Sequence, residues 1–303
     1  MEDRMNISYD AYRVFYYVAK YRSFTQAAGA LQNSQPNITR TVKNLEQALG
    51  CTLFLRSNRR VELTAEGETL YRHVSAAFDQ LQSGEEEISR GKGLQGGILR
   101  VAATEVALRI LLLPVLAQFR AQYPGAHIRL LSRSTPSAVS DLKNGLADLA
   151  VVATPVSSEK SLKETRLLTF QEVAVGGSAY AELSKAPASL EEIARYPLIC
   201  LGRNTSTFDF YSRYFSEHGL SLQPDIEAAA ADQVFPLVQA NLGIGFVPSA
   251  FLKGEAVGKS MFPISLTEPI PPRHISLLTS QAHPMGPAAR ELVKLLTQSC
   301  AGR

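Results

Sequence analysis

The sequence predicts an α/β protein in two parts, a small helical N-terminal domain and a longer run of alternating strands and helices, joined by one extended helix. Three observations carry that expectation. Residues 23–49 hold two short apolar helical stripes separated by a three-residue polar turn. Residues 64–90 hold one narrow apolar stripe at heptad spacing. From Ile98 onward, short β-rich runs alternate with helical patterns, which is the grammar of βαβ units and a parallel sheet. At 303 residues the chain is long enough for about two domains, each with its own core.

In the first part, Tyr12, Phe15, Tyr16, Val18 and Ala19 give residues 9–21 a helical stripe. Phe24, Ala27, Ala28 and Leu31 share the apolar face of a second helix, opened by Ser23 with Gln26 three residues on as in a capping box. Gln32, Asn33 and Ser34 break the pattern, and Ile38, Val42, Leu45 and Leu49 restart it, with Ser34 as cap and Pro36 in the first turn. Away from that stripe project Pro36, Arg40, Lys43, Asn44 and Gln47, flanked by Asn37 and Thr39. Donors and cations on the second of two short helices describe a helix-turn-helix whose recognition helix enters the major groove. An ordinary helical hairpin is the bland alternative. Charge argues against it: residues 11–60 hold eight basic residues and a single acid, Glu46, while the whole chain is only +3. A local basic excess marks a polyanion partner. Without any tryptophan or exposed apolar face, double-stranded DNA fits better than a membrane.

After Gly50, Leu53–Leu55 and Val61–Thr64 flank the polar tip Arg56-Ser57-Asn58-Arg59-Arg60, which reads as a wing whose Arg56, Arg59 and Arg60 face phosphates or the minor groove. Arg56 reads equally well as a salt-bridge partner inside the small domain. Thr64 caps a helix running to about Arg90, with Glu66 and Glu68 in its first turn. Its stripe of Leu70, Val74, Ala77, Leu81, Gly84 and Ile88 suits pairing with a second copy, the alternative being a helix laid on the following domain. Gly91, Gly93, Gly96 and Gly97 read as a hinge-like linker. Beyond it the expected order is strand ILRVAAT, helix Glu105–Tyr123, strand HIRLLS, helix Ser137–Asn144 and strand DLAVVA. A second unit runs from EVAVGG (172–177) through a helix capped by Ser189 with Glu192, strand LICL, a helix at Phe208–His218, IEAAA, a helix at Val234–Leu242 and GIGFVP. HISLLT (274–279) and a helix at Ala288–Ser299 close the chain.

Composition excludes several classes. With 45% hydrophobic and 19% charged residues and a mean hydropathy near zero, the chain reads as a soluble globular protein. Its longest apolar run, Ile110–Ala117, is interrupted by Pro114, and the polar start MEDRMNISYD lacks signal-peptide character, so a cytoplasmic protein without a membrane partner is expected. Cys51, Cys200 and Cys300 form no CxxC pair, and the five histidines have no ligand spacing, so no metal or other cofactor is expected. Cys200, inside the apolar LICL, reads as a buried inert thiol, which argues against redox sensing. GxSxG, Walker and GxGxxG motifs are absent, and Ser140–Lys143 matches the SxxK pattern without the SDN and KTG that accompany it in hydrolases. No catalytic residue is assigned, and an enzyme is not expected.

The segments SFTQAA, QPNITRTVKNLEQALG and LFLRSNRRVELTAEG, the long helix, and two α/β units containing LKNGLADLAVV and VQANLGIGFVP closely resemble the LysR-type transcriptional regulator family along essentially the whole chain. The resemblance implies a winged helix-turn-helix at 1–64, a dimerisation helix and hinge at 65–93, and an effector-binding region at 94–303 similar to periplasmic solute-binding proteins. That region is expected as two Rossmann-like subdomains, about 94–169 with 271–303 and about 170–270, with crossings near Thr169 and Ile270. Carried over residue by residue, Gln35, Pro36, Thr39 and Arg40 match positions that read bases, and Ser34 and Arg59 match positions near phosphates. Asn37 departs from the small residue usual there, and its amide either reads adenine or solvates the helix. The effector is expected between the subdomains, at Thr104, Ser134, Thr135, Gly202, Asn204, Thr205, Ala231 and Asp232. Hydroxyls and helix N-termini favour a carboxylate; Glu105 and Asp232 work against a dianion, so an amino acid or another donor-bearing ligand is equally open. Homodimers paired through Leu70, Val74, Ala77, Leu81 and Ile88, association into tetramers, and RNA polymerase as a further partner complete what the resemblance implies.

Overall fold

The computed structural model describes residues 7–57, 60–90, 98–252 and 258–301, in two compact units, Met1–Glu86 and Glu87–Arg303. In the first, α1 (Tyr9–Tyr21), α2 (Phe24–Ala30) and α3 (Gln35–Leu49) enclose Phe15, Val18, Ala27, Ile38, Val42 and Leu45, all buried. Each helix starts on a serine whose hydroxyl accepts the amide three residues on: Ser8 from Ala11, Ser23 from Gln26, Ser34 from Asn37. Gly50 ends α3 at φ 67°, a left-handed turn that glycine adopts without strain.

Strands β1 (Phe54–Ser57) and β2 (Arg60–Leu63) pair antiparallel, Phe54 opposite Leu63 and Ser57 opposite Arg60. Thr64 fastens this wing to α4 (Ala65–Arg90): its hydroxyl donates to the Thr52 carbonyl at 2.7 Å and accepts the Gly67 amide at 2.9 Å. A Cβ on Gly67 would collide with the Leu53 carbonyl oxygen, so the wing and the helix meet backbone to backbone.

The heptad reading of α4 needs correction. Val74 is buried in the unit's own core, with Leu70, Tyr71 and Phe78 half-buried against it. Tyr16 of α1 stacks on Phe78 and Tyr71, with ring centroids 4.7 and 5.9 Å away. The aromatic side of the helix thus turns inward and takes Leu70 and Val74 with it, while Ala77 and Leu81 remain exposed. The Ile88 side chain and the Gly91–Gly97 linker lie outside the described residues.

The second unit contains β3 (Ile98–Ala103), α5 (Glu105–Ala107), a π turn at Leu108–Leu112, α6 (Leu113–Gln122), β4 (His127–Ser132), α7 (Thr135–Lys143), β5 (Leu149–Ala153), β6 (Leu162–Phe170) and β7 (Glu172–Gly176). It continues with α8 (Leu190–Ile193), β8 (Leu198–Leu201), α9 (Ser206–Glu217), β9 (Ile226–Ala228), α10 (Ala231–Gln239), β10 (Ile244–Pro248), β11 (Phe262–Ile264), β12 (Arg273–Ser280) and α11 (Pro287–Ala301). Two five-stranded sheets result, ordered β4-β3-β5-β12-β6 and β11-β7-β10-β8-β9. The chain passes from the first to the second at Gln171 and returns between β11 and β12.

Parallel pairing holds the centre of each sheet, β3 with β4 and β5, β8 with β9 and β10. Alternate residues of β3 serve cores on both faces, Leu99, Val101 and Ala103 in one cluster and Ala102 in another. The sheets are nevertheless mixed, because β12 runs antiparallel to β5 and β6, and β7 to β10 and β11. Sequence periodicity misses β6 and β11. The first, LKETRLLTF, is a largely solvated edge strand whose charges read as a loop, and the second is three residues long. The helix expected at Glu105–Tyr123 is present with a π turn inside it. Pro114, lacking an N–H and crowding the carbonyl four residues back, accounts for the widened ladder just before it.

Candidate functional site

On α3, Ser34, Gln35, Pro36, Arg40 and Lys43 are exposed, and Asn37 and Thr39 are half-exposed. Asn33 Oδ1 accepts both the Ser34 amide at 2.8 Å and Asn37 Nδ2 at 2.9 Å, and Asn37 Oδ1 accepts from Arg40 Nη2 at 3.4 Å. Asn37 is thus the middle of a polar ladder along the helix, and its amide is already engaged. Glu46, the single acid of residues 11–60, has a structural task that its sequence position did not reveal. Its carboxylate accepts the Leu53 amide at 2.8 Å and the Phe54 amide at 3.3 Å, anchoring the wing's first strand to α3. What remains on the outer surface of α3 is cationic and amide-bearing. Arg59 and the side chains of Arg56 and Arg60 lie outside the described residues.

Within the second unit a cavity of about 160 Å³ opens between the two sheets, where β3 and β8 end and α7, α9 and α10 begin. Thr104, Ser134, Thr135, Thr205 and Ala231 line it, whereas Gly202, Asn204 and Asp232 do not. The reason is local. Residues 202–205 close a turn on the outside, with the Thr205 amide and hydroxyl both donating to the Gly202 carbonyl. Helix α10 begins at Ala231, three residues before the expected Val234, which leaves Asp232 in its exposed first turn. The hydroxyls at the wall are mostly occupied. Thr104 Oγ1 accepts the Ala107 and Ala153 amides, Thr135 Oγ1 donates to the Ala153 carbonyl at 2.9 Å, and Ser134 and Thr205 cap their helices. These residues aim helix N-termini at the cavity rather than presenting free hydroxyls to it.

Of the charged groups of the wall, Glu105 was legible, whereas Glu172 and Arg273 were not. Glu172 opens β7 and Arg273 opens β12, the strands next to the two crossings, and they meet at 2.6 Å with 3% and 2% of their surface exposed. Arg273 also donates from Nε to the Thr154 carbonyl at 2.8 Å and from Nη2 to Thr207 Oγ1 at 3.1 Å, with the Phe210 ring 4.9 Å from its guanidinium carbon. It therefore joins β12 to both subdomains. Removing one partner of a pair so buried costs about 3–5 kcal/mol, because the remaining charge is left uncompensated. Glu172 Oε1 is used by Arg273, the hydroxyl of Tyr211 lies beside the same carboxylate, and both residues line the cavity. Burial first, then the negative Glu172, holds the Tyr211 phenol well above its ordinary pKa, so it is a neutral O–H. In sequence each looks ordinary, a charge flanking an apolar strand and an aromatic on a helical stripe.

No helix among the described residues is long and apolar enough to cross a membrane, and no group of three or more His, Cys, Asp or Glu side chains among them is placed to hold a metal ion.

Both units match known protein families. Residues 9–68 match the model of the bacterial regulatory helix-turn-helix protein of the lysR family, and residues 92–301 match the LysR substrate binding domain. The HTH-type transcriptional regulator CysB of Burkholderia cenocepacia is 28% identical over 226 residues, 74% of this chain and 72% of that protein. BbuR of Bordetella bronchiseptica is 29% identical over 245 residues, 80% of this chain and 74% of its own. Among solved structures, the LysR family regulator CbnR superposes with a TM-score of 0.71 at 19% identity, covering 97% of this chain and 99% of that one, and CbnR complexed with its target DNA gives the same score. The chain belongs to the LysR family of bacterial transcriptional regulators, DNA-binding proteins with a C-terminal effector-binding domain, and not to an enzyme family.

Proposed function

We propose that this regulator acts as a homodimer or tetramer that reads an inverted-repeat operator with paired α3 helices and responds to a small carboxylate or amino-acid-like effector in the cavity between the sheets. Residues 1–64 form the reading domain, 65–93 the pairing helix and hinge, and 94–303 the effector domain. Gln35, Pro36, Thr39 and Arg40 contact bases; Ser34, Lys43 and the wing arginines Arg56, Arg59 and Arg60 contact the backbone. The observation that carries this reading is the α3 surface: Arg40 and Lys43 stand exposed while Glu46, the one acid of that helix, is tied to the wing's amides. Ligand bound between two sheets linked only by short crossings shifts their relative position, and so the spacing of the reading helices.

Arg40→Ala tests the reading in the full chain by quantitative footprinting. Specific affinity should fall by roughly 1–3 kcal/mol with relaxed preference at one base position of each half-site. Unchanged affinity would remove Arg40 from the reading face.

A further inference from the structure

We infer that Asn37 is a positioning residue for Arg40: Asn33 sets the direction of the Asn37 amide, and that amide holds the Arg40 guanidinium for a guanine of the half-site without itself reading a base. This rests on the reading of α3 as the recognition helix and deepens it. Polarity along the three side chains is set by a group that has no choice of role. The Ser34 backbone N–H can only donate, so the Asn33 atom 2.8 Å from it is the acceptor, Oδ1. The same oxygen meets Asn37 at 2.9 Å, which makes that end of the Asn37 amide Nδ2 and turns its Oδ1 to the other side. There, three residues on and on the same helical face, Oδ1 accepts from Arg40 Nη2 at 3.4 Å.

A bidentate adenine contact needs both ends of an amide on one base. Here each end already serves a protein neighbour, Asn33 at one and Arg40 at the other. An exposed arginine loses rotamer freedom when it enters a groove, and one that is already held loses less. An amide oxygen suits that task because it leaves the guanidinium its full charge beside phosphates, where a carboxylate would cancel it. Only one N–H of the fork is engaged, so Arg40 keeps donors for O6 and N7 of guanine. In water so long and exposed a bond contributes little to stability. In a groove cleared of water the same contact counts for more.

The test uses the full chain and a duplex library randomised over about 20 base pairs, two helical turns. The duplex most enriched by the wild type becomes the probe, and every single-base variant of it is titrated with the wild type, Asn37→Ala, Arg40→Ala and the double variant. Asn37→Ala should bind the probe about threefold to tenfold more weakly. Its preference should relax at the same guanine that Arg40→Ala relaxes, and it should add nothing in the Arg40→Ala background. Its melting temperature should match the wild type's, and its salt dependence should keep the same slope, because no phosphate contact is lost. Relaxation at a different base pair, or an effect that adds in full to that of Arg40→Ala, gives Asn37 a base of its own and overturns the inference while leaving α3 as the reading helix. So does Asn37→Ala with unchanged base preference beside a weakened Arg40→Ala, whether or not its melting temperature falls. Relaxation of both variants at an A·T pair overturns the guanine assignment. Arg40→Ala without effect, or a library from which the wild type enriches no sequence, removes the reading of α3 and the inference with it.

Discussion

Cys200 lines the cavity between the sheets, the place where a thiol sensor would be useful, yet its chemistry is that of an inert side chain. It is 4% exposed, and burial pushes its pKa up to about 12, a rise that the Leu201 backbone hydrogen bond only partly offsets and that Glu172 reinforces. At pH 8 the thiolate is then roughly one part in ten thousand, against about a quarter for an ordinary cysteine. With iodoacetamide at pH 8, the half-exposed Cys51 and Cys300 should alkylate while Cys200 stays unmodified until the chain is unfolded. Rapid loss of all three thiols would contradict its burial. This inertness was legible, because LICL is an apolar run that only a buried strand explains. The partnership of Glu172 and Arg273 was not: they lie 101 residues apart, and only the two crossings bring them together.

Individual elements were legible where burial imposes a period. The helix-turn-helix, its serine caps and the central parallel strands follow from apolar spacing, whereas β6 escaped because an edge strand carries charges on its exposed positions. Helix α4 shows the opposite failure, a real period assigned to the wrong neighbour. Leu70 and Val74 repeat as a seam does, but Tyr71 and Phe78 on the adjoining face stack on Tyr16 and turn that part of the helix into its own domain. The wing depends on one carboxylate, and the sign of a mutation there separates two roles. Were Glu46 only an acid beside a polyanion, Glu46→Ala would tighten DNA binding by removing repulsion. Because it holds the amides of Leu53 and Phe54, its loss leaves two backbone donors unpaired at the base of the wing, a cost of about 1–3 kcal/mol. Footprint titration of Glu46→Ala should therefore show weaker binding, and tighter binding would assign Glu46 an electrostatic role alone.

At the scale of the molecule, the proposed reading of an inverted repeat requires two helix-turn-helix units held together, and α4 is where we propose that they pair. Its 26 residues exceed what the N-terminal core covers: Val74 is buried there, while Leu81, two turns on, is 49% exposed and Ala77 is exposed beside it. An exposed leucine beside an exposed alanine on a solvated helix is satisfied by the same patch of a second copy. Joining two reading helices turns the second half-site contact into an intramolecular event, a gain of about 10²–10⁴ in apparent affinity. Leu81→Glu places a carboxylate on that stripe opposite its own copy and touches no core residue, so it separates pairing from folding. Light scattering should find the variant's mass at half the wild-type multiple of the 33.0 kDa chain, with an unchanged circular dichroism spectrum. Operator affinity should fall by about a hundredfold or more while contact with a single half-site persists. A variant that keeps both the wild-type mass and the full footprint would take the pairing surface off this helix, and with it the last function assigned to the heptad stripe.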